Sequence, residues 1–335
     1  MNGSTGRWVG IDISKGKLDV ALLDERGKIR NHVFANDSKG HTALITWLRE
    51  RSPDAPPSVC MESTGHYGEA AATALADAGY RVSVVNPARV KGFAQSELAR
   101  NKTDRADAAL LARFGLALQP EVWVAPSREV RELRSLVERL QSLKEMYQQE
   151  TNRLEAAAQQ PSMRSSIESH LQWLQVEIKA LERQIDDHID RHPGLRADVE
   201  LITSIPGVGN TTAAKMLAYL GDVRRFRNAK ALAAFIGVTP RLKLSGSSVR
   251  GHSSISRSGH AQVRHALYMP ALVALKHNPL VHAFGVRLKE AGLAPKAVVA
   301  AGMHKLVLLV YGILKSGQPF NPTFGVNRLD IQDGI

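Results

Sequence analysis

Two aspartates three residues apart, Asp104 and Asp107, sit in the stretch KTDRADA, ahead of an apolar helical run and among Arg100, Lys102, Arg105 and Arg113. Carboxylates at i and i+3 share one face of a helix. A structural reading makes Asp104 a helix N-cap and Asp107 a first-turn acid favoured by the helix dipole. A chemical reading is favoured by two further acids. Asp12 lies inside VGIDIS, an apolar stretch where a charge is costly unless paired or metal-bound. Glu62 lies at the end of the apolar run SVCMES. Asp19, on the next β-rich run, is the competing acid. Four carboxylates brought together by one fold must raise their pKa values or bind a cation. Hard divalent ions take oxygen ligands, and two of them can clamp a phosphate during in-line displacement.

Two other constellations could handle a phosphate. SIPGVGNTTAAKML places Gly207 and Gly209 in a turn ahead of a helix, where backbone N–H groups can meet an anion. The spacing resembles the helix-hairpin-helix, a sequence-independent DNA-binding element. Residues 239–266 set Arg241, Lys243, Arg250, Arg257 and Arg264 around a run of serines and glycines. A serine hydroxyl needs activation and a cationic cradle to attack a phosphoryl group. The residues alone do not choose among Ser245, Ser247 and Ser248.

These groups need elements to position them. Three β-rich runs at 7–34, separated by turns with Gly16 and Gly27, predict an antiparallel meander. A helix at about 38–51, a buried strand at 58–63, a helix near 66–79, a strand at 81–86 and a helix from Pro87 follow. That order predicts a mixed sheet with helices packed on it. From about 126 to 192 the pattern turns to long helices. Val130, Leu133, Val137, Leu140, Tyr147 and Leu154 form one stripe, blurred at Lys144 and Thr151. Ser165 and Glu168 suggest a capping box for the second helix. Its seam is Ile167, Leu171, Leu174, Ile178, Leu181 and Ile185, a heptad pattern. Such a pair can close as a hairpin within the chain, but a long arm with few neighbours favours some packing between chains. The remainder is mostly helical, apart from the polar stretch 243–259.

The chain of 335 residues is long enough for two or three domains. Its net charge is +12 with a pI near 9.9. Residues 221–335 hold 16 Lys and Arg against 4 Asp and Glu, and the first 220 residues balance at 28 each. A basic final third behind a neutral body points to an acidic polymer as partner. Cys60 is the only cysteine, which excludes an intramolecular disulfide and a cysteine-built zinc site and suits a reducing cytoplasm. The N-terminus lacks a secretory pattern. The most apolar segment, AVVAAGMHKLVLLVYGIL, is interrupted by His304 and Lys305 and reads as a buried helix rather than a membrane span.

Together these motifs resemble the bridge-RNA-guided transposases of bacterial insertion sequences, relatives of the Piv-type DNA invertases, over nearly the whole length. The resemblance implies an α/β RNase H-like (RuvC-like) domain over 1–125, a coiled-coil helical arm over 126–193, and a basic, mostly α domain with a helix-hairpin-helix over 194–335. The family's acidic tetrad falls on Asp12 in GIDIS, Glu62 in MESTG, and Asp104 and Asp107 in KTDRADA. Its PR…SG pattern falls on Pro240, Arg241, Ser245 and Gly246, followed by ISRSGHAQVR, and selects Ser245 as nucleophile. The implied reaction is DNA strand cleavage, exchange and rejoining through a 5′-phosphoserine, with Mg2+ or Mn2+ held by the tetrad. The implied partners are donor and target double-stranded DNA, a structured guide RNA, and other copies of the chain in a tetramer. In that tetramer the acidic domain of one subunit meets the serine domain of another. Lys102 and Arg105 would hold nucleic-acid phosphates near the metal. Competing readings are a metal-dependent nuclease of the Holliday-junction-resolvase type, which needs no serine, and a non-enzymatic DNA-architectural protein. An actin-like ATPase is a weaker fourth, because no second phosphate loop accompanies GIDISKGKLDVALLD.

Overall fold

Alternating apolar residues fold the start of the chain as strands β1 (Trp8–Ile13), β2 (Lys17–Leu23) and β3 (Ile29–Ala35). The computed structural model describes residues 6–62, 67–97, 103–156, 160–241, 244–245, 249–250, 254–256 and 259–323. The chain divides into two compact units, residues 1–125 and 126–335.

In the first unit, α1 (Ser38–Arg51), β4 (Ser58–Glu62), α2 (Glu69–Asp77), β5 (Val82–Val85), α3 (Pro87–Ser96) and α4 (Asp104–Leu118) follow the meander. The strands form one mixed sheet in the order β3-β2-β1-β4-β5, antiparallel across the first three and parallel from β1 to β5. Strand alternation sorts β1 cleanly. Val9, Ile11 and Ile13 face a core with Leu44 and Leu48 of α1 and Leu75 of α2. Trp8 faces the opposite core with Cys60, Val85 and Leu110, Leu111 and Phe114 of α4. Gly10 shares the Trp8 face, and it lets α4 rest on the strand. A Cβ there would overlap the Ala108 carbonyl oxygen and the Ala112 amide, and would stand 2.9 Å from the Leu111 Cβ. Farther along α4, Gly115 makes the same room for the Trp8 ring. The helix therefore runs antiparallel to β1 and brings its first turn toward Asp12.

The second unit opens with α5 (Arg128–Ala156) and α6 (Pro161–Arg191). Their stripes face each other within the chain, with Leu133, Val137, Leu140, Leu174, Leu181 and Ile185 buried, so the hairpin is closed on itself. Leu143 fills the step blurred at Lys144. The capping box does not form. Helix α6 starts at Pro161, whose fixed φ suits a first helical position, and Glu168 instead pairs with Arg164 at 2.8 Å inside the helix. One continuous core joins this hairpin to α7 (Pro193–Thr203), α8 (Asn210–Leu220), α9 (Ala229–Ile236), α10 (Ala261–Ala266), α11 (Tyr268–His277), α12 (Pro279–Glu290) and α13 (Pro295–Ser316). Helix α13 is long and apolar enough to cross a membrane, but it packs Leu306, Val307 and Val310 into that core. Between α9 and α10 the polar stretch forms four two-residue strands, β6 (Pro240–Arg241), β7 (Leu244–Ser245), β8 (Val249–Arg250) and β9 (Ser254–Ile255). β6 pairs with β9, and β7 pairs with β8 inside them.

Candidate active site

Register places three acids in one row. Asp12 of β1 lies opposite Asp19 of β2. On the other side, Gly10 lies opposite Cys60 and Ile11 opposite Met61, so the next pair in line is Asp12 and Glu62. Residues opposite one another share a face of a sheet, and Cys60 fixes that face as the one α4 covers. Asp19, Asp12 and Glu62 thus cross the three central strands in a line, and α4 approaches the line with Asp104 and Asp107 in its first turn.

The groups act on one another electrostatically. Burial pushes the Asp12 carboxyl up to about 6, and repulsion from Asp107, then Asp104, then Asp19 adds to it. The Ile13 amide opposes the shift. Lys17, two residues before Asp19 on the same face, sets its Nζ 2.7 Å from Asp104 Oδ2 and 2.9 Å from Asp19 Oδ2. That hydrogen bond and charge hold Asp104 below the usual carboxylate range and raise the Lys17 ammonium. Among the described residues, no three His, Cys, Asp and Glu side chains form a ready metal cage. The donor chemistry fits a hard divalent cation all the same. The set is all oxygen, and its members repel one another at Asp12 in a way that a cation would relieve.

Sequence reasoning missed three positioning groups. The N-cap of α4 is Thr103, whose Oγ1 accepts from the Ala106 amide at 3.2 Å, so Asp104 is not the cap. Lys17 reaches an acid 87 positions away in the chain, a pairing no local pattern shows. Asn36 donates from Nδ2 to the carbonyls of Ser14 at 2.9 Å and Tyr67 at 3.0 Å. It ties the turn after Asp12 to the segment after Glu62.

The expected nucleic-acid contacts divide. Arg105 is exposed, and with the Asn31 amide oxygen turned toward it, its Nε and Nη2 donate at 3.0 and 3.2 Å. It lines a shallow pocket with Asp19, Asn31 and Val33. In the second unit, α7 and α8 are joined by the glycine-bearing turn, in the expected order helix, turn, helix. Gly207, at φ +102°, packs against α11, where a Cβ would stand 2.8 Å from the Ala274 amide nitrogen. Packing alone therefore demands glycine at 207. Gly209 is exposed and caps α8 with open space at its Cβ position. Arg264 is half-buried and donates from Nη1 to the Ile236 carbonyl at 3.1 Å, closing the end of α9. Ser245, Arg241 and Arg250 are described by their backbone, which the short strands hold in the order β6-β9 outside and β7-β8 inside. Lys102, Lys243, Arg257, Gly246, Ser247 and Ser248 lie outside the described residues.

Comparison with known proteins bears on this geometry. Residues 9–162 match a family model for IS110-type DEDD enzymes described as Transposase. Residues 199–285 match one described as Transposase IS116/IS110/IS902 family. The chain is 31% identical over 316 residues to the pilin gene-inverting protein of Moraxella lacunata, covering 94% of this chain and 97% of that protein. The protein of the same name in Moraxella bovis is 31% identical over the same span. The transposase for insertion sequence element IS1111A of Coxiella burnetii is 23% identical over 300 residues, 80% of this chain and 78% of that one.

Proposed function

We propose that this chain, which belongs to the IS110 family of transposases, cuts, exchanges and rejoins DNA through a serine nucleophile assisted by divalent cations. The observation that carries the reading is the acidic row Asp19–Asp12–Glu62 with the first turn of α4 facing it. A sheet of this order, with carboxylates on its central strands and a closing helix, supports assignment of residues 1–125 as an RNase H-like, RuvC-like domain. Residues 126–193 are read as its helical arm and 194–335 as the serine-bearing domain.

In this reading Asp12, Glu62, Asp104 and Asp107 would hold Mg2+ or Mn2+, which when bound supplies charge stabilisation at the phosphate and the leaving oxygen. Lys17 would give up Asp104 or shift within the row as the charge balance changes. Ser245 Oγ attacks the phosphorus and loses its proton. An Oγ–P bond to the 5′ phosphate forms, the P–O3′ bond breaks, and the 3′ oxygen leaves as a hydroxyl. Rejoining is the reverse, with the 3′ hydroxyl of the new partner strand. Arg241, Lys243, Arg250 and Arg257 supply the cationic cradle for the phosphoryl group. Donor and target duplexes, a structured guide RNA, a tetramer and action on DNA in the cytoplasm complete the proposal on the strength of the family resemblance.

The test is a cleavage assay on DNA from the element's ends, read on denaturing gels. Ser245→Ala is expected to abolish both strand cleavage and the covalent protein–DNA adduct. Glu62→Gln and Asp104→Asn are expected to abolish cleavage with folding intact. Retained cleavage in Ser245→Ala would leave a metal nuclease. Unchanged recombination in both carboxylate variants would sink the enzymatic reading. Specific enrichment of RNA encoded beside the gene, in protein purified from its host, checks the guide.

A further inference from the structure

We propose that Phe235 is a stacking platform for an unpaired DNA base at the foot of the ribbon that carries Ser245. The proposal rests on the serine-recombinase reading above and adds a substrate contact to it. Helix α9 buries Leu232, Ala233 and Ile236 and leaves Phe235 40% exposed. A single exposed apolar side chain is ordinary, but this ring stands in an array. Phe226 lies 5.2 Å from it between centroids, and His260 lies 6.4 Å away at an interplanar angle of 31°. The His260 ring in turn lies 4.9 Å from Tyr219. The Arg225 guanidinium stands 5.0 Å from the Phe226 centroid and 5.8 Å from that of Phe235, and donates to the Leu220 carbonyl at 3.3 Å. Phe235 is therefore held from several sides, with part of its surface open to solvent.

The position is tied to the ribbon by backbone contacts. The His260 amide donates to the Phe235 carbonyl at 3.0 Å, and the Ser256 amide donates to Thr239 at 2.8 Å. Gly259 permits the approach, because a Cβ there would stand 2.6 Å from the Gly237 amide nitrogen. The two strands at the foot of the ribbon pair at Thr239 and Ser256, and the segment leaving it returns to the end of α9 at the Phe235 carbonyl. The exposed cations Arg227 and Lys230 stand at the start of α9, the end away from Phe235, whereas Arg224 is taken by Asp198 at 2.6 Å. An aromatic ring beside a guanidinium is the chemistry that receives a base from a single strand. Strand cleavage and exchange unpair bases beside the scissile phosphate, which supplies that ligand.

The experiment measures binding by the full-length chain in EDTA, so that neither cleavage nor metal is needed. The probes are a single-stranded DNA of mixed sequence carrying 2-aminopurine, its blunt duplex, and an RNA of the same sequence. Phe235→Leu keeps apolar bulk and loses the ring. It is expected to weaken single-stranded DNA binding by about tenfold, to abolish the fluorescence quenching, and to leave duplex binding unchanged. Phe235→Trp is expected to retain both affinity and quenching, which also shows that the site tolerates substitution. Parent-like single-strand binding by Phe235→Leu would overturn the proposal. So would an equal loss on duplex, or a loss seen with RNA alone. Ser245→Ala keeps the quenching whether or not it cleaves, so failure of the serine mechanism and failure of the stacking platform are read separately.

Discussion

Asp12 is the residue at which the candidate site shows its tension. Its carboxyl titrates near 6 in the folded chain against 3.8 for a free side chain. Between those values the native state holds a proton that the unfolded chain has released, so stability falls as pH rises through the window. Discounted for the water that reaches this half-buried group, the effect is about 1 kcal/mol. Asp12→Asn is expected to raise the thermal midpoint at pH 7 in EDTA, with the gain fading below about pH 4 as both chains become neutral there. Added Mg2+ should reverse the order, stabilising the parent and not the variant. A variant less stable than the parent at pH 7 in EDTA would show that neither burial nor repulsion at Asp12 costs the folded chain what its raised carboxyl implies. The four acids proposed for the metal site stood out in the sequence because each lay within or at the end of an apolar run or in a helix start. Lys17 was not. Its value comes from strand pairing and a helix that begins 87 positions further on, and a lysine in a β-rich run carries no local mark of either.

Elements were legible where periodicity was strong. The helix at 38–51, the heptad seam of α6 and the alternating strands of the sheet all follow their apolar patterns. Helix starts were harder, because several polar residues compete to cap. Thr103 beat Asp104, and Pro161 began α6 ahead of Ser165. Packing of helix on strand was invisible, since a glycine in a strand reads only as a weak point. One substitution tests it, and a second tests the helix pairing of the other unit. Gly10→Ala must push α4 off β1, and a loss of about 3 kcal/mol or more in chemical denaturation is expected, together with loss of DNA cleavage. Leu174→Ala opens a cavity in the fully buried α5–α6 seam and should cost about 2–5 kcal/mol. A midpoint change within error for Gly10→Ala would mean that α4 has another resting place.

At the scale of the whole molecule, the net charge is confined to the last third, where there are 16 Lys and Arg against 4 acids. That much was legible from composition, but how the cations are used was not. Arg224 is spent on Asp198 and Arg264 on a helix end, so formal charge overstates what is free for phosphate. Duplex binding should still weaken steeply with salt. If about six phosphates are neutralised, affinity should fall by roughly a thousandfold between about 50 and 200 mM salt. A slope of log affinity against log salt near zero would remove nucleic acid as the partner of this surface. Lys230→Gln should flatten the slope by about one phosphate contact, whereas Arg264→Gln should leave it unchanged and lower the melting temperature instead.

Gly10 carries a consequence for how this enzyme tolerates change. Where side chains separate a helix from a sheet, every exchange of leucine for valine in the core alters their spacing. Here main-chain atoms of α4 meet main-chain atoms of β1, and main chain is the same in every sequence. The gap between the acidic row and the first turn of α4 is thus insulated from drift in the surrounding core. Such a site can pass through long stretches of sequence divergence with its dimensions intact, provided that one hydrogen at position 10 is never replaced by carbon.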